Sequence, residues 1–187
     1  SARRTLAGGR VIDPFSSARG RAKPERLAIL NALENNIIIE VLLNLIKLSP
    51  LGLNFSSFIR AWNLTVEEAL VLEESVETIV IKTEDSDTVF SPNHFDKISV
   101  SILNILGDWH LENPEKPGPS SDIIRKLLSI RLAKDIFKGV LKVLVSDGKI
   151  IYSRSGFSLP GFENKLNEKD NILWKKIKPL LEKDTFQ

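Results

Sequence analysis

The sequence predicts a mainly α-helical protein with small β-hairpins, an α+β fold in which one helical module occurs twice. Apolar residues recur at a helical spacing through several stretches of the 187-residue chain. Two pairs of short β-prone segments each surround a polar turn. The second segment of each pair contains Phe-Ser, at Phe90-Ser91 and at Phe157-Ser158, so the two pairs lie 67 residues apart.

The composition supports a globular fold and excludes several kinds of chemistry. Hydrophobic residues make up 42% of the chain, which is enough for packed cores. There is no cysteine, which excludes disulfides, thiolate zinc sites and cysteine catalysis and suits a cytoplasmic protein. Only His94 and His110 can supply imidazole chemistry. No apolar stretch reaches about 18 residues, so no membrane span or membrane partner is expected.

The net charge of +2 conceals an uneven distribution along the chain. Residues 1–26 carry +5, residues 27–98 carry −7, residues 99–162 carry +3 and residues 163–187 carry +1. A block of negative charge repels phosphate backbones. If the chain binds nucleic acid, residues 27–98 are therefore the part least suited to the contact.

The first module is predicted to begin with two helices. Pro24 suits the first position of a helix because its missing N–H needs no partner there, and a helix is predicted over Glu25–Glu34. The apolar segment IIIEVLLNLIKL follows. Its polar residues Glu40, Asn44 and Lys47 recur at steps of four and three, which predicts a helix buried on every side except one narrow stripe.

Two further helices and a hairpin complete the first module. Asn63-Leu64 is predicted to turn the chain between the helices, and Thr65 with Glu68 predicts a capping box at the start of the second one. An acidic turn at residues 84–87 separates two strands. These elements are predicted over Phe55–Trp62, Val66–Val76, Ile79–Lys82 and Thr88–Phe90.

The same order of elements recurs in the second half of the chain. A long helix with an apolar face from Phe95 to Trp109 is predicted to end at Asn113-Pro114. Ser121 is predicted to cap the next helix, and Asp147-Gly148 to end the third. The later elements are predicted over Asp122–Leu128, Ala133–Ser146, Ile150–Tyr152 and Phe157–Leu159. Helices followed by a hairpin in this order predict two tandem winged-helix modules.

Both ends of the chain predict parts of neighbouring domains. Gly8-Gly9 lacks the spacing and the lysine of a phosphate-binding loop, and Val11–Asp13 is predicted as a strand that Pro14 stops. A further amphipathic helix is predicted from Asn167 onward. The chain is expected to be a fragment, with a barrel strand and basic linker at 1–23, modules at 24–92 and 93–160, and the start of a third module at 161–187.

Several stretches resemble the bacterial selenocysteine-specific elongation factor. The stretch RRTLAGGRVIDP, followed by KPERLAILNAL, is similar to the junction in that family where the last strand of a β-barrel precedes tandem winged helices. In the second half, NPEKPGPSSDIIRKLL, VLVSDGKI and LPGFENKLNEKDNILWKKIKPLL also resemble the family. The resemblance covers nearly the whole chain.

The resemblance implies a role in protein synthesis without a catalytic site in this chain. The family binds GTP and Mg²⁺ in an N-terminal domain, so no catalytic, cofactor-binding or metal-binding residue is expected here. The implied partners are RNA, as the selenocysteine-insertion hairpin of messenger RNA and selenocysteinyl-tRNA, together with the ribosome. The family grips the hairpin mainly through its last winged-helix module, and the first two modules act largely as a spacer. A cytoplasmic monomer without a DNA partner is expected.

Basic residues of the second module form a candidate RNA-binding site. Lys134, Lys138 and Lys142 recur every four residues, opposite the apolar side of their predicted helix. Such a stripe either contacts phosphates or only keeps a helix face solvated, and the sequence leaves both interpretations open. The candidate set is Arg125, Lys126, Lys134, Lys138, Lys142, Lys149 and Arg154. A denser basic cluster comprises Arg3, Arg4, Arg10, Arg19, Arg21, Lys23 and Arg26, and it contacts transfer RNA, ribosomal RNA or nothing.

Other candidate residues have simpler explanations. The acids from Glu67 to Glu77, on and just after the predicted helix Val66–Val76, lack the companions of a metal site and suit a solvated face. His110 has no neighbouring nucleophile, so packing is preferred over catalysis. Trp62, Trp109 and Trp174 are predicted as core residues. A DNA-binding regulator and a protein-interaction scaffold remain as alternative functions, and the acidic first module suits the scaffold better.

Overall fold

The computed structural model describes residues 12–14, 23–162 and 177. Within these residues it contains seven helices and five short antiparallel strands, which confirms the predicted mainly α-helical fold with small hairpins. The helices are Pro24–Leu33 (α1), Ile38–Lys47 (α2), Phe55–Trp62 (α3), Val66–Glu74 (α4), Pro92–Glu112 (α5), Ser121–Leu127 (α6) and Lys134–Ser146 (α7). The strands are Leu53–Asn54 (β1), Ile79–Lys82 (β2), Asp87–Phe90 (β3), Ile151–Ser153 (β4) and Gly156–Ser158 (β5).

The first sheet has three strands in the order β1-β3-β2, one more than the sequence predicts. The central strand is β3: its Val89 pairs with Leu53 of β1 on one side and with Val80 of β2 on the other. Gly52 makes this approach possible: its φ is +88°, and a Cβ at this position would lie 2.5 Å from Thr88 Cγ2. The extra strand was missed because two residues are too short to show an alternating pattern.

The core of the first module is built around α2. Four of its residues are buried, namely Val41, Leu42, Leu45 and Ile46. The polar stripe of Glu40, Asn44 and Lys47 is exposed, as predicted. Leu43 is also 37% exposed, so the prediction that the rest of the helix is buried all round is wrong. The exposed side is wider than the polar residues alone indicate.

Local caps set the ends of the helices in the first module. Thr65 and Glu68 form the predicted capping box: the Glu68 N–H donates to Thr65 Oγ1 at 3.2 Å, and the Thr65 N–H donates to Glu68 Oε2 at 2.9 Å. Asn63, with φ of +49°, turns the chain between α3 and α4. Helix α4 ends at Glu74, two residues before the predicted end, with Ser75 as its C-cap.

The second module repeats this order with small shifts in the element ends. The Ser91 hydroxyl accepts from the His94 N–H at 3.2 Å and so caps α5, which gives the Phe90-Ser91 motif a structural role. The cap of α6 is Ser120, not the predicted Ser121: the Ser120 side chain accepts from the Ile123 N–H. Helix α7 ends before Gly148, which has φ of +68°, and the Lys149 N–H donates to the Leu144 carbonyl at 2.9 Å.

One hydrogen bond joins the second hairpin to the segment before α6, at the place where a third strand would pair. The Phe157 N–H donates to the Pro119 carbonyl at 3.0 Å, just before α6, as β1 pairs with β3 just before α3. Pro119 has no N–H to return a hydrogen bond, so this pairing stops at one bond and the sheet has two strands. Gly118 and Gly156 lie in close backbone contact here, which leaves no space for side chains at either position.

By internal contacts the chain divides into two compact units. The first comprises Ser1–Ile98 with Leu132–Gly139, and the second comprises Ser99–Arg131 with Val140–Gln187. The division therefore falls within α5 and within α7. The domain boundaries given by the sequence stay a prediction.

The predicted barrel strand falls mostly outside the described residues. Of this region Ile12, Asp13 and Pro14 are described, with Ile12 in a bend and Pro14 in a turn, and the barrel strand stays a prediction. The Asp13 carboxylate forms an ion pair with the Arg26 guanidinium at 2.7 Å. The helix predicted from Asn167 also lies outside the described residues, apart from the helical residue Ile177. Among the helices that the structure describes, none has the length and apolar character needed to cross a membrane.

Candidate nucleic-acid interface

The basic stripe lies on the outward side of α7, as the sequence predicts. Phe137, Val140 and Leu144 are at most 1% exposed and form the inward side of the helix. Lys134 and Lys138 are exposed on the other side, with Lys142 one further turn along. Because side chains four residues apart follow one another on a helix surface, the three ammonium groups form one row.

Within the part of the chain that the structure describes, no ion pair neutralises the row of lysines. None of Lys134, Lys138 and Lys142 has a carboxylate within 4.0 Å among residues 12–14, 23–162 and 177. Asp135 is exposed beside the row in the first turn of α7, where a carboxylate interacts favourably with the helix dipole. The charge of the lysines is therefore available to a ligand.

Arg125 and Lys126 lie in the last turn of α6, and both are exposed. They line a groove of about 540 Å³ together with Arg131 and Asp122. The sequence-based set omits Arg131, which lies between two predicted helices and follows no periodic pattern. The structure adds it to the set, since three cations now surround one groove.

Lys149 and Arg154 lie near the two ends of β4, in the hairpin. Lys149 follows the turn at Gly148, and Arg154 lies in the loop between β4 and β5; both are exposed. Between them is Tyr152, which is 63% exposed while its ring contacts Phe157 at a centroid distance of 4.8 Å. Tyr152 is absent from the sequence-based set, although an aromatic residue between two cations is a useful signal for nucleic-acid binding.

The denser N-terminal cluster is only partly described. Lys23 is exposed, and Arg26 is paired with Asp13. The other five cations, Arg3, Arg4, Arg10, Arg19 and Arg21, lie outside the described residues. This cluster therefore adds no geometry to the candidate interface.

His110 is packed, in agreement with the interpretation preferred from the sequence. It is 8% exposed, its ring stacks on Phe162 at a centroid distance of 3.5 Å, and its Nε2 accepts from the Leu159 N–H at 3.2 Å. Burial lowers the pKa of His110 below the ordinary histidine value. The neutral imidazole is therefore the form that fits these contacts.

The remaining candidates have structural roles where they are described. Glu68 belongs to the capping box, and within the described part of the chain no group of acids and histidines is close enough to hold a metal ion. Trp62 packs against the core of the first module. Trp109 is partly buried, and its Nε1–H donates to the Pro117 carbonyl at 3.1 Å. Trp174 lies outside the described residues.

Helices α4 and α7 hold the same position in the two modules but differ in charge. The exposed side of α7 carries Lys138 and Lys142, whereas that of α4 carries Glu67 and Glu74. Of these two described helices, α7 is the one whose exposed side carries the positive charge that phosphates favour. A scan against protein-family models gives no match for the chain, and a comparison with curated proteins gives no significant match.

Proposed function

We propose that this chain is a positioning region of a translation factor similar to the selenocysteine-specific elongation factor, and that the basic side of α7 contacts RNA. The observation that carries the proposal is the two-sided character of α7. Lys134, Lys138 and Lys142 form an exposed row, which has no carboxylate partner among the described residues, opposite a buried apolar side. In winged helices, the helix before the hairpin is the one that approaches nucleic acid.

The dimensions of the row suit a phosphate backbone. From Lys134 to Lys142 the helix rises about 12 Å, at 1.5 Å for each residue. This equals the rise of three to four nucleotides in one strand, at about 3.4 Å each. Contacts of this kind fix the position of a protein on RNA without selecting a sequence, which is the behaviour expected of a spacer.

The acidic first module supports the same assignment. Residues 27–98 carry −7, so they repel phosphates and leave RNA contact to the second module. Within the proposal, the messenger-RNA hairpin, selenocysteinyl-tRNA and the ribosome are the partners of the whole factor. GTP and Mg²⁺ are assigned to its other domains, and no hydrolytic step is assigned to the residues described here.

The proposal is tested by reversing the charge of the α7 row in the 187-residue chain. We expect the triple variant Lys134→Glu, Lys138→Glu, Lys142→Glu to bind a structured RNA hairpin at least about tenfold more weakly at 0.1 M salt. The slope of log K against log salt should fall by about two to three, since each phosphate contact contributes roughly 0.7 to 0.9. Fluorescence anisotropy at several salt concentrations measures both quantities.

A matched control reverses three exposed lysines elsewhere, with the variant Lys47→Glu, Lys82→Glu, Lys116→Glu. It changes the net charge equally, so it should leave the salt slope near the unmodified value. Equal losses of RNA affinity in both variants would mean that the α7 row is only a solvated surface. Tighter binding to duplex DNA than to RNA would favour the DNA-binding regulator instead.

A further inference from the structure

The outward side of α4 is unusual for a surface helix, because it is largely apolar. Val66 is 72% exposed, Leu70 is 54% exposed and Val71 is 64% exposed. Glu67 and Glu74 are exposed on the same side. A surface helix normally places polar residues there, and clustered exposed apolar residues mark interaction sites.

A groove beside α4 adjoins this surface at Glu67 and Val71, whereas Val66, Leu70 and Glu74 lie outside its lining. Its volume is about 380 Å³, which is in the range of ligand-binding clefts. Val71 and Leu72 of α4 line it together with Ile38 of α2 and Leu64 of the preceding turn. Ile37, next to this groove in the chain, is 53% exposed. The groove can therefore accommodate aliphatic side chains.

The polar residues that line the groove are acidic or neutral. They are Glu67, Glu68 and Ser75. The capping box holds the Glu68 carboxylate in place, because its Oε2 accepts from the Thr65 N–H. The four cations of residues 27–98, namely Lys47, Arg60, Lys82 and Lys97, are not among the residues that line the groove.

We propose that the groove between α2 and α4 binds a basic amphipathic helix of a partner protein. Aliphatic side chains of the partner at i, i+3 or i+4, and i+7 would occupy the apolar groove, and its lysines or arginines would face Glu67 and Glu74. Carboxylates at the rim exclude RNA and anionic lipid surfaces by repulsion. A second copy of this chain would bring the same glutamates against each other, which disfavours self-association through this face.

The first experiment uses a designed peptide as the probe. An 18-residue labelled peptide with leucines at i, i+3/i+4 and i+7 and lysines elsewhere is titrated with the 187-residue chain. We expect saturable binding of one peptide to one chain, and no binding of a matched peptide in which glutamates replace the lysines. Equal binding of the acidic peptide would overturn the proposal, because the rim would then select nothing.

The second experiment separates the apolar groove from its rim. The variant Leu70→Gln, Val71→Gln changes Val71, which lines the groove, and Leu70 on the exposed apolar side next to it. Glutamine is a good helix former, so α4 is kept, and binding of the Leu-Lys peptide should weaken by at least about tenfold. The variant Glu67→Gln, Glu74→Gln should weaken it severalfold and reduce its dependence on salt. A matched control, Glu34→Gln with Glu84→Gln, alters two exposed glutamates outside the groove and should leave binding unchanged.

Circular dichroism melts first establish whether each variant is folded, and peptide binding is then compared among the folded variants. Unchanged peptide affinity in the Leu70→Gln, Val71→Gln variant would overturn the proposal. Sedimentation that reveals self-association abolished by the same variant would also overturn it, because the face would then belong to a second copy. Neither result depends on the RNA contact proposed for α7.

Discussion

His110 is held neutral by its surroundings near the end of α5. Its Nε2 accepts a hydrogen bond from the Leu159 N–H, and its ring lies against Phe162. A protonated imidazole carries hydrogen on both nitrogens, so it cannot accept this bond. The neutral ring thus fastens the segment after β5 to α5.

The free energy of unfolding should therefore depend on pH through His110. Its folded pKa is lowered, so the unfolded chain binds a proton first as the pH falls below about 6.5. Stability from this residue is fully present above that value and declines as the pH falls towards the folded pKa. Melting temperatures measured between pH 7.5 and pH 5 give the dependence.

The variant His110→Gln provides the comparison, because its amide oxygen can accept from Leu159 and does not titrate. We expect a smaller loss of melting temperature in this variant over the same pH interval. Identical losses in both proteins would contradict the assigned role of His110.

Two helical glycines offer a matched pair of substitutions. Gly139 of α7 lies against the Ile81 side chain within the first compact unit, so an added methyl group would collide with it. At Gly107 of α5, the nearest atom to an added methyl group is Leu159 Cδ1, at 3.9 Å. The same chemical change therefore meets a crowded position and an open one.

We expect Gly107→Ala to stabilise the protein by about 0.5–1 kcal/mol, since alanine favours a helix over glycine by about that amount. Gly139→Ala should destabilise it by up to about 2 kcal/mol, because crowding costs about 1–3 kcal/mol and exceeds the helix gain. Urea unfolding measures both values. A stabilised Gly139→Ala variant would show that Ile81 moves aside at little cost.

At the scale of elements, two adjacent serines at the start of α6 have different roles. The Ser120 hydroxyl caps the helix, whereas Ser121 is the first helical residue. Ser120→Ala should cost about 1 kcal/mol of unfolding free energy, because the Ile123 N–H loses its acceptor. Ser121→Ala should be neutral or slightly stabilising, as alanine favours the helix. Thermal unfolding of both variants decides between the two caps, and a larger loss in Ser121→Ala would restore the sequence-based assignment.

The elements that could be predicted are those with a long repeat of apolar residues. The spacing in α2, α5 and α7 predicts each helix, and the pair Thr65 and Glu68 predicts where α4 begins. β1 could not be predicted, because its two residues are positioned by the close approach of Gly52 to β3. Tertiary contact, which leaves no local pattern, determines such elements.

The candidate interface could likewise be predicted only where its residues follow a periodic spacing. Lys134, Lys138 and Lys142 share a helix face by their spacing alone. Arg131 joins Arg125 and Lys126 only through the fold around their groove. Tyr152 lies between Lys149 and Arg154 in the sequence, but its exposure follows no periodicity and is known only from the hairpin.

At the scale of the whole molecule, the two halves of the chain share an order of helices and strands but carry surface charge of opposite sign. Residues 27–98 bear −7 and residues 99–162 bear +3, and the outward sides of α4 and α7 follow these signs. The repeated order of elements therefore does not repeat the surface charge. The sequence predicts this division from charge, while the apolar part of the α4 surface emerges only from side-chain exposure.

The single hydrogen bond between Pro119 and Phe157 also bears on solubility. A free sheet edge with alternating N–H and carbonyl groups can recruit a strand from another molecule and begin aggregation. Proline at this position removes a donor, and in the first sheet the edge strand β1 is limited to two residues. We therefore expect the edge of each sheet that Pro119 or β1 occupies to resist pairing with a strand of another molecule.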